Sequence, residues 1–242
     1  MALGSGDFTL KEMVRGYATI ANGGLQAPVP FFIKKVTDRN GRVLESHGGA
    51  ATEQVLDPMS TFQLIQCLQG VATSGTGARS NELGWPVAGK TGTTDDHTDG
   101  WFIGFSTKVV CGVWVGLDEK KTIYRGADGA KLALPIWIDF MRAALPTTGE
   151  KEEFKAPDGM EWADIDRYTG LLATSATSDR VIHLAFKPGT VPRSGSDAEA
   201  IRLVKEARDK ANAQPMENRV WGRPQQAEEA KPVDLNASDP NA

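Results

Sequence analysis

The sequence predicts an α+β fold, and three observations carry that prediction. Strand-like runs at residues 86–94, 101–106 and 109–116 follow one another around a polar turn at 95–100. Amphipathic helical patterns stand before and after them. The strands are also apolar on both faces. Trp101, Ile103 and Phe105 oppose Phe102, and Val109, Cys111, Val113 and Val115 oppose Val110 and Trp114. Such strands belong in the middle of a sheet covered on both sides.

Taken in order, the elements have recognisable punctuation. Thr9-x-x-Glu12 is a capping box that opens a helix carrying Met13, Tyr17 and Ile20, and Asn22-Gly23-Gly24 ends it. Residues 31–37 and 42–46 flank Asn40-Gly41, a hairpin signal. Asp57-Pro58 supplies an N-cap and first helical residue for a helix with Phe62, Ile65, Leu68 and Val71 on one stripe. Residues 73–77 form a glycine- and hydroxyl-rich loop, read either as a ligand-side loop or as a plain helix exit. In the strands, Gly104, Gly112 and Gly116 would let a covering helix approach closely. One covering helix is expected at 132–145, presenting Ile136, Ile138, Phe140 and Met141. Beyond Pro146 the composition changes: a small β element is expected around Tyr168-Thr169-Gly170, a charged helix at 198–213, and a disordered tail from Gly222.

Composition narrows the function. With 242 residues, a net charge of −4 and 40% apolar residues, the chain reads as one soluble globular domain with an extension. The acidic balance offers no basic stripe for nucleic acid. The longest apolar run, 109–117, is too short to span a bilayer, and residues 1–7 do not resemble a signal peptide. Cys67 and Cys111 stand far apart, and His47, His97 and His183 lack metal-ligand spacing, so no metal or cofactor is expected.

The chemistry concentrates in Gly89-Lys90-Thr91-Gly92-Thr93-Thr94. The ammonium brings charge, the hydroxyls bring donors, and Gly92 offers a ligand backbone without a Cβ. Two readings compete for these residues. Residues 84–91 match G-x-x-x-x-G-K-[ST], the nucleotide-binding P-loop. That loop needs a buried strand before it and a helix starting at the lysine. Residues 79–83 are too polar for the first, and Gly92, Asp95-Asp96 and Asp99-Gly100 oppose the second. In the second reading, Lys90-Thr91-Gly92 is the K-T-G element that accompanies S-x-x-K and S-D-N in penicillin-binding proteins and class A β-lactamases.

The wider wording resembles the transpeptidase domain of class A, 1A-like bifunctional penicillin-binding proteins. "TLKEMVRGYATIANGG", "GVATSGTGA", "GWPVAGKTGTTDDHTDGWFIGF", "VVCGVWVGLD", "ALPIWIDFM" and "FKPGTVP" run in the family's order up to about Pro192. The resemblance implies an antiparallel sheet with packed helices. It also implies a serine enzyme that attacks a D-Ala-D-Ala carbonyl of the peptidoglycan stem peptide and is trapped by β-lactams. Lys90 would then bring charge to the substrate carboxylate and the hydroxyl proton network. Thr91 and Thr93 would bond that carboxylate through their hydroxyls, Gly92 would line the same site, and the Thr93 backbone N–H would be an oxyanion donor. Strict alternation places Lys90 and Thr91 on opposite faces of the strand. Asp95, Asp96 and Asp99 read as turn residues, and Trp101 and Trp114 as core.

One departure is large: no serine in the chain begins S-x-x-K or S-x-N. In the family those motifs lie N-terminal to the block where this chain begins. Residues 1–146 are therefore expected to be the C-terminal part of a transpeptidase domain, incomplete at the N-terminus, with 147–221 an extension and 222–242 a tail. Of the family's five strands the chain would hold three, and one sheet face would lose its cover. Its partners would be the stem peptide, β-lactams and the missing N-terminal part of the domain. Its location would be the periplasmic face of the inner membrane. Three functions remain open: a transpeptidase fragment, a non-catalytic peptide- or protein-binding module, and a P-loop nucleotide binder.

Overall fold

Three α-helices each start at a side-chain cap. In the computed structural model, which describes residues 8–48, 53–119, 121–174, 181–195, 202, 203, 205, 206 and 209, both halves of the Thr9–Glu12 box are formed. The Glu12 N–H donates to Thr9 Oγ1 at 3.2 Å and the Thr9 N–H donates to Glu12 Oε2 at 2.8 Å. They open α1 (Leu10–Ala21). The Asp57 carboxylate accepts from the Ser60 N–H at 2.7 Å, with Pro58 in the first turn of α2 (Pro58–Ser74). Asp128 caps α3 (Gly129–Ala144) by accepting from the Lys131 N–H at 2.8 Å. That cap starts α3 three residues before the expected position. Its buried residues are Ala133, Leu134, Trp137, Ile138 and Met141. Ile136 and Phe140, expected on the inner stripe, are instead about half exposed on a neighbouring one.

Between α1 and α2 lies the expected hairpin, β1 (Lys35–Thr37) and β2 (Val43–Ser46). Gly41 takes the left-handed φ its turn requires, +81°, and Asp38 Oδ1 accepts from the N–H groups of Asn40 and Arg42. Residues 31–34, expected in the first strand, lie outside it, although the Lys34 carbonyl accepts from the His47 N–H at 2.9 Å, and both strands are largely exposed.

The central sheet is antiparallel, in the order β3 (Ala88–Thr93), β4 (Asp99–Phe105), β5 (Val110–Gly116). Register fixes its faces. Thr91 pairs with Phe102 and Phe102 with Val113, so these share one side; Lys90, Ile103 and Gly112 share the other. α3 covers the first side. Phe102 and Trp137 meet edge to face at 4.9 Å, and a Cβ on Gly104 would lie 2.9 Å from the Trp137 ring. The second side has cover as well, contrary to the expectation of a bare face. A Cβ on Gly112 would lie 2.6 Å from Val14 of α1, and Ile65 and Leu68 of α2 cluster with Ala88, Phe105 and Tyr17. Gly116 serves a different purpose from the one expected: its missing Cβ makes room for the Trp114 ring of its own strand. β4 is closed on both faces from Phe102 to Phe105. β5 carries the same apolar pattern, but among the described residues it is an edge strand, and it is half-buried.

The C-terminal segment also has a hairpin, β6 (Glu161–Asp166) with β7 (Val181–Phe186), and Tyr168-Thr169-Gly170 lie in the turn after β6. It meets α2 through Trp162 against Phe62, ring centroids 6.2 Å apart, and through Lys187 to Asp57 at 2.8 Å. Phe154 packs edge to face on Phe105 at 5.6 Å. Of the helix expected at 198–213, residues 202, 203, 205, 206 and 209 are described and helical; the tail expected from Gly222 lies outside the described residues.

Candidate functional site

Gly84, in a left-handed conformation at φ +61°, ends a short 3₁₀ segment and feeds the chain into β3. Lys90 therefore lies in mid-strand, with no helix starting behind it. The context that a P-loop requires is absent here.

Along β3 the candidate residues alternate. Lys90 is exposed on the α1 side, and its Nζ donates to the Thr91 carbonyl at 2.7 Å. Thr91 and Thr93 point to the α3 side. The Thr91 hydroxyl lies 2.7 Å from that of Thr76, at the exit of α2. Thr93 Oγ1 accepts from the backbone N–H of Gly129, in the first turn of α3, at 3.2 Å. The strand thus separates the ammonium from the hydroxyls, as strict alternation requires. Gly92 is half-buried. A Cβ there would make a tight contact with Trp101, 3.0 Å from its Cβ.

The backbone of β3 is itself a polar surface. β3 pairs with β4 on one side, and its other edge is unpaired among the described residues. The Thr94 N–H donates across the ladder to Asp99 O. Antiparallel pairing alternates, so the N–H and C=O groups of Thr91 and Thr93 turn to the free edge. From that edge the Thr91 carbonyl receives the Lys90 ammonium.

The β3–β4 turn is held in shape. Asp96 and His97 both have left-handed φ values, +62° and +55°. The His97 ring meets the Ala127 carbonyl at 2.6 Å, and the Ile123 N–H donates to His97 O. Asp99 accepts from the hydroxyls of Thr94 and Thr98 and from the Trp114 indole N–H at 2.7 Å. A carboxylate holding three donors is a structural one. Trp101 and Trp114, expected in the core, lie on the Lys90 side with ring centroids 6.1 Å apart; Trp114 is 41% exposed and Trp101 half-buried. α1 covers this side only around Gly112 and leaves the tryptophan end open. Sequence reasoning did not single out Thr76 or Gly129. The hydroxyl-rich loop at 73–77 was the available signal for the first.

Residues 2–141 match the penicillin binding protein transpeptidase domain. The chain belongs to that family. Over 202 residues it is 39% identical to "Penicillin-binding protein 1A" of Aquifex aeolicus, an alignment covering 83% of this chain and 27% of that protein. Over 203 residues it is 36% identical to the protein of the same name from Rickettsia prowazekii, covering 73% and 25%. The crystal structure of penicillin-binding protein 1A from Haemophilus influenzae superposes with a TM-score of 0.69 at 28% identity, covering 81% of this chain and 34% of that one. The chain thus spans about a quarter of the length of the curated relatives it matches. The antiparallel sheet with packed helices is the family's fold. No helix among the described residues is long and apolar enough to cross a membrane.

Proposed function

We propose that this transpeptidase-family chain carries the substrate-binding strand of a peptidoglycan-crosslinking serine DD-transpeptidase, whose nucleophile comes from residues outside it. The observation that carries the reading is β3 itself: Lys90 and two threonine hydroxyls flank a free edge with outward backbone donors. A stem peptide adds to that edge as an extra strand, with backbone bonds for affinity and side-chain contacts for specificity. Lys90 supplies positive charge toward the substrate carboxylate and the proton network. Thr91 and Thr93 bond the carboxylate, Gly92 lines the site beside them, and the Thr93 N–H donates to the oxyanion that develops on the attacked carbonyl. In other enzymes one such donor is worth about 3 kcal/mol. With no serine in an S-x-x-K setting, the chain alone binds without forming an acyl-enzyme, which needs the nucleophile.

In this reading residues 1–146 are the transpeptidase part, 147–221 an extension and 222–242 a tail. The ligands are stem peptides and β-lactams: the chain alone makes the non-covalent contacts of β3, and covalent capture follows once the upstream part of the domain completes the site. The working location is the periplasmic face of the inner membrane.

Supplying the upstream portion of a family transpeptidase tests the assignment through the rate of acylation by a fluorescent penicillin. Lys90→Ala is expected to slow acylation on the order of 10²-fold, the scale of a lost electrostatic contact in an active site. Asp95→Ala should change it less than about threefold, as for a turn residue away from the chemistry. Equal effects would refute the roles given to β3. Failure of every completed form to acylate would favour a non-catalytic binding module.

A further inference from the structure

We propose that Thr76 is a positioning residue for carboxylate recognition: it orients the hydroxyl of Thr91 so that Thr91 donates its proton to the ligand. The inference rests on the reading of β3 given above and adds a residue from outside the strand. Thr76 Oγ1 lies 2.7 Å from Thr91 Oγ1, across 15 residues of sequence.

The turn that carries Thr76 is fixed on several sides. The Gly75 N–H donates to the carbonyls of Gly70 and Val71, and the Gly77 N–H donates to Val71 O, all at 3.1 Å. A Cβ on Gly75 would lie 2.8 Å from Val71 Cα, and one on Gly77 would lie 3.2 Å from the Phe102 ring. The next residues lock the same helix end from the other side. Asn81 Nδ2 donates to Thr73 O at 3.0 Å, and the buried Ser80 hydroxyl donates to Ala72 O at 3.2 Å. Thr76 is therefore presented to β3 by a backbone with little room to shift.

Proton counting gives this contact a direction. Each hydroxyl has one proton and two lone pairs. If Thr91 donates to Thr76, it has only lone pairs left for an incoming carboxylate, and the two repel. If Thr76 donates to Thr91, the Thr91 proton is free for the carboxylate. An anion at the free edge of β3 selects the second arrangement. The two bonds then run in one direction and strengthen one another. Thr76 is exposed, so water can donate to its oxygen in turn. Without the Thr76 hydroxyl, the Thr91 rotor has no partner among the described residues to set it.

The test uses methyl NMR of the full 242-residue chain, titrated with acetyl-D-alanyl-D-alanine and separately with its C-terminal amide. The readout is the preference for carboxylate over amide, measured at the Thr91 methyl. The wild type is expected to prefer the carboxylate. Thr76→Val should reduce that preference about fivefold, the scale of one hydrogen bond, and Thr76→Ser should keep it. A contact that merely pinned the loop would weaken both ligands together and leave the preference unchanged. If Thr76→Val keeps the wild-type preference, the positioning role is wrong and the reading of β3 stands. If the wild type shows no saturable shift at Thr91 with either ligand, both fall.

Discussion

On the α3 side of the sheet, Phe102 and Trp137 are fully buried and in edge-to-face contact. On the opposite side the Trp114 ring is 41% exposed, and Lys90 is exposed and bonds a backbone oxygen of its own strand. Both sides belong to the same three strands, and both carry tryptophan. What differs is the extent of helical cover. α3 presents Ala133, Leu134, Trp137, Ile138 and Met141 to its side in one continuous stripe. α1 and α2 close only the half of theirs around Gly112, Ala88 and Phe105. The α3 side is thus closed around Phe102 and Trp137, while the Lys90 end of the other side stays accessible.

The largest effect is expected at the two tryptophans. Trp137→Ala should destabilise the chain by about 3–5 kcal/mol, the range for deleting a buried large aromatic. Trp114→Ala should cost about 1 kcal/mol or less, as for a partly exposed side chain with one hydrogen bond. Urea unfolding midpoints with unchanged slopes would report both. Similar losses would mean that the two sides are equally closed.

Cysteine chemistry sharpens the same point. Cys111 shares the α3 side with Gly104, its carbonyl accepts from the Trp137 indole, and burial pushes its thiol up to about 11. Only about one Cys111 in a thousand is thiolate at pH 8, and the thiolate is the reactive form. Exposed Cys67 should therefore take up iodoacetamide while Cys111 stays unlabelled. Trp137→Ala should bring Cys111 into reaction. Labelling of both thiols in the native chain would show that the α3 side is open.

A smaller effect is expected where the C-terminal hairpin meets α2. The Lys187 ammonium, together with the Ser60 N–H, lowers the Asp57 carboxyl from the usual 3.8 to about 2. A carboxyl held down in the folded chain adds stability at pH values above its unfolded pKa. That contribution fades as pH falls through the folded value. Melting temperature should thus drop between about pH 4 and pH 2. Asp57→Asn keeps the helix cap and should flatten that part of the curve. An identical acid profile in the variant would remove the ion pair from the account.

Much of this architecture was legible because it is written locally. Thr9 with Glu12, and Asp57 with Pro58, place two helix starts to the residue, since a cap depends on neighbours within one turn. β3, β4 and β5 fall within two residues of their expected bounds. The inner stripe of α3 was less legible. Ile136 and Phe140 are as apolar as Trp137 and Ile138, so composition leaves more candidates than one sheet face can bury. The site divides in the same way. Lys90, Thr91, Gly92 and Thr93 are adjacent in sequence and stood out together. Thr76 reaches Thr91 only because α2 ends beside the edge of β3, and Trp114 is exposed only because α1 stops short of it. Both facts depend on helix placement, which no local pattern encodes.

The central claim, a substrate-binding strand separate from its nucleophile, is tested most directly by incubating the isolated chain with a fluorescent penicillin and denaturing it. No label that survives denaturation is expected, because an acyl bond needs a serine in the S-x-x-K setting that this sequence lacks. A surviving band, mapped by peptide sequencing to a serine of this chain, would contradict it.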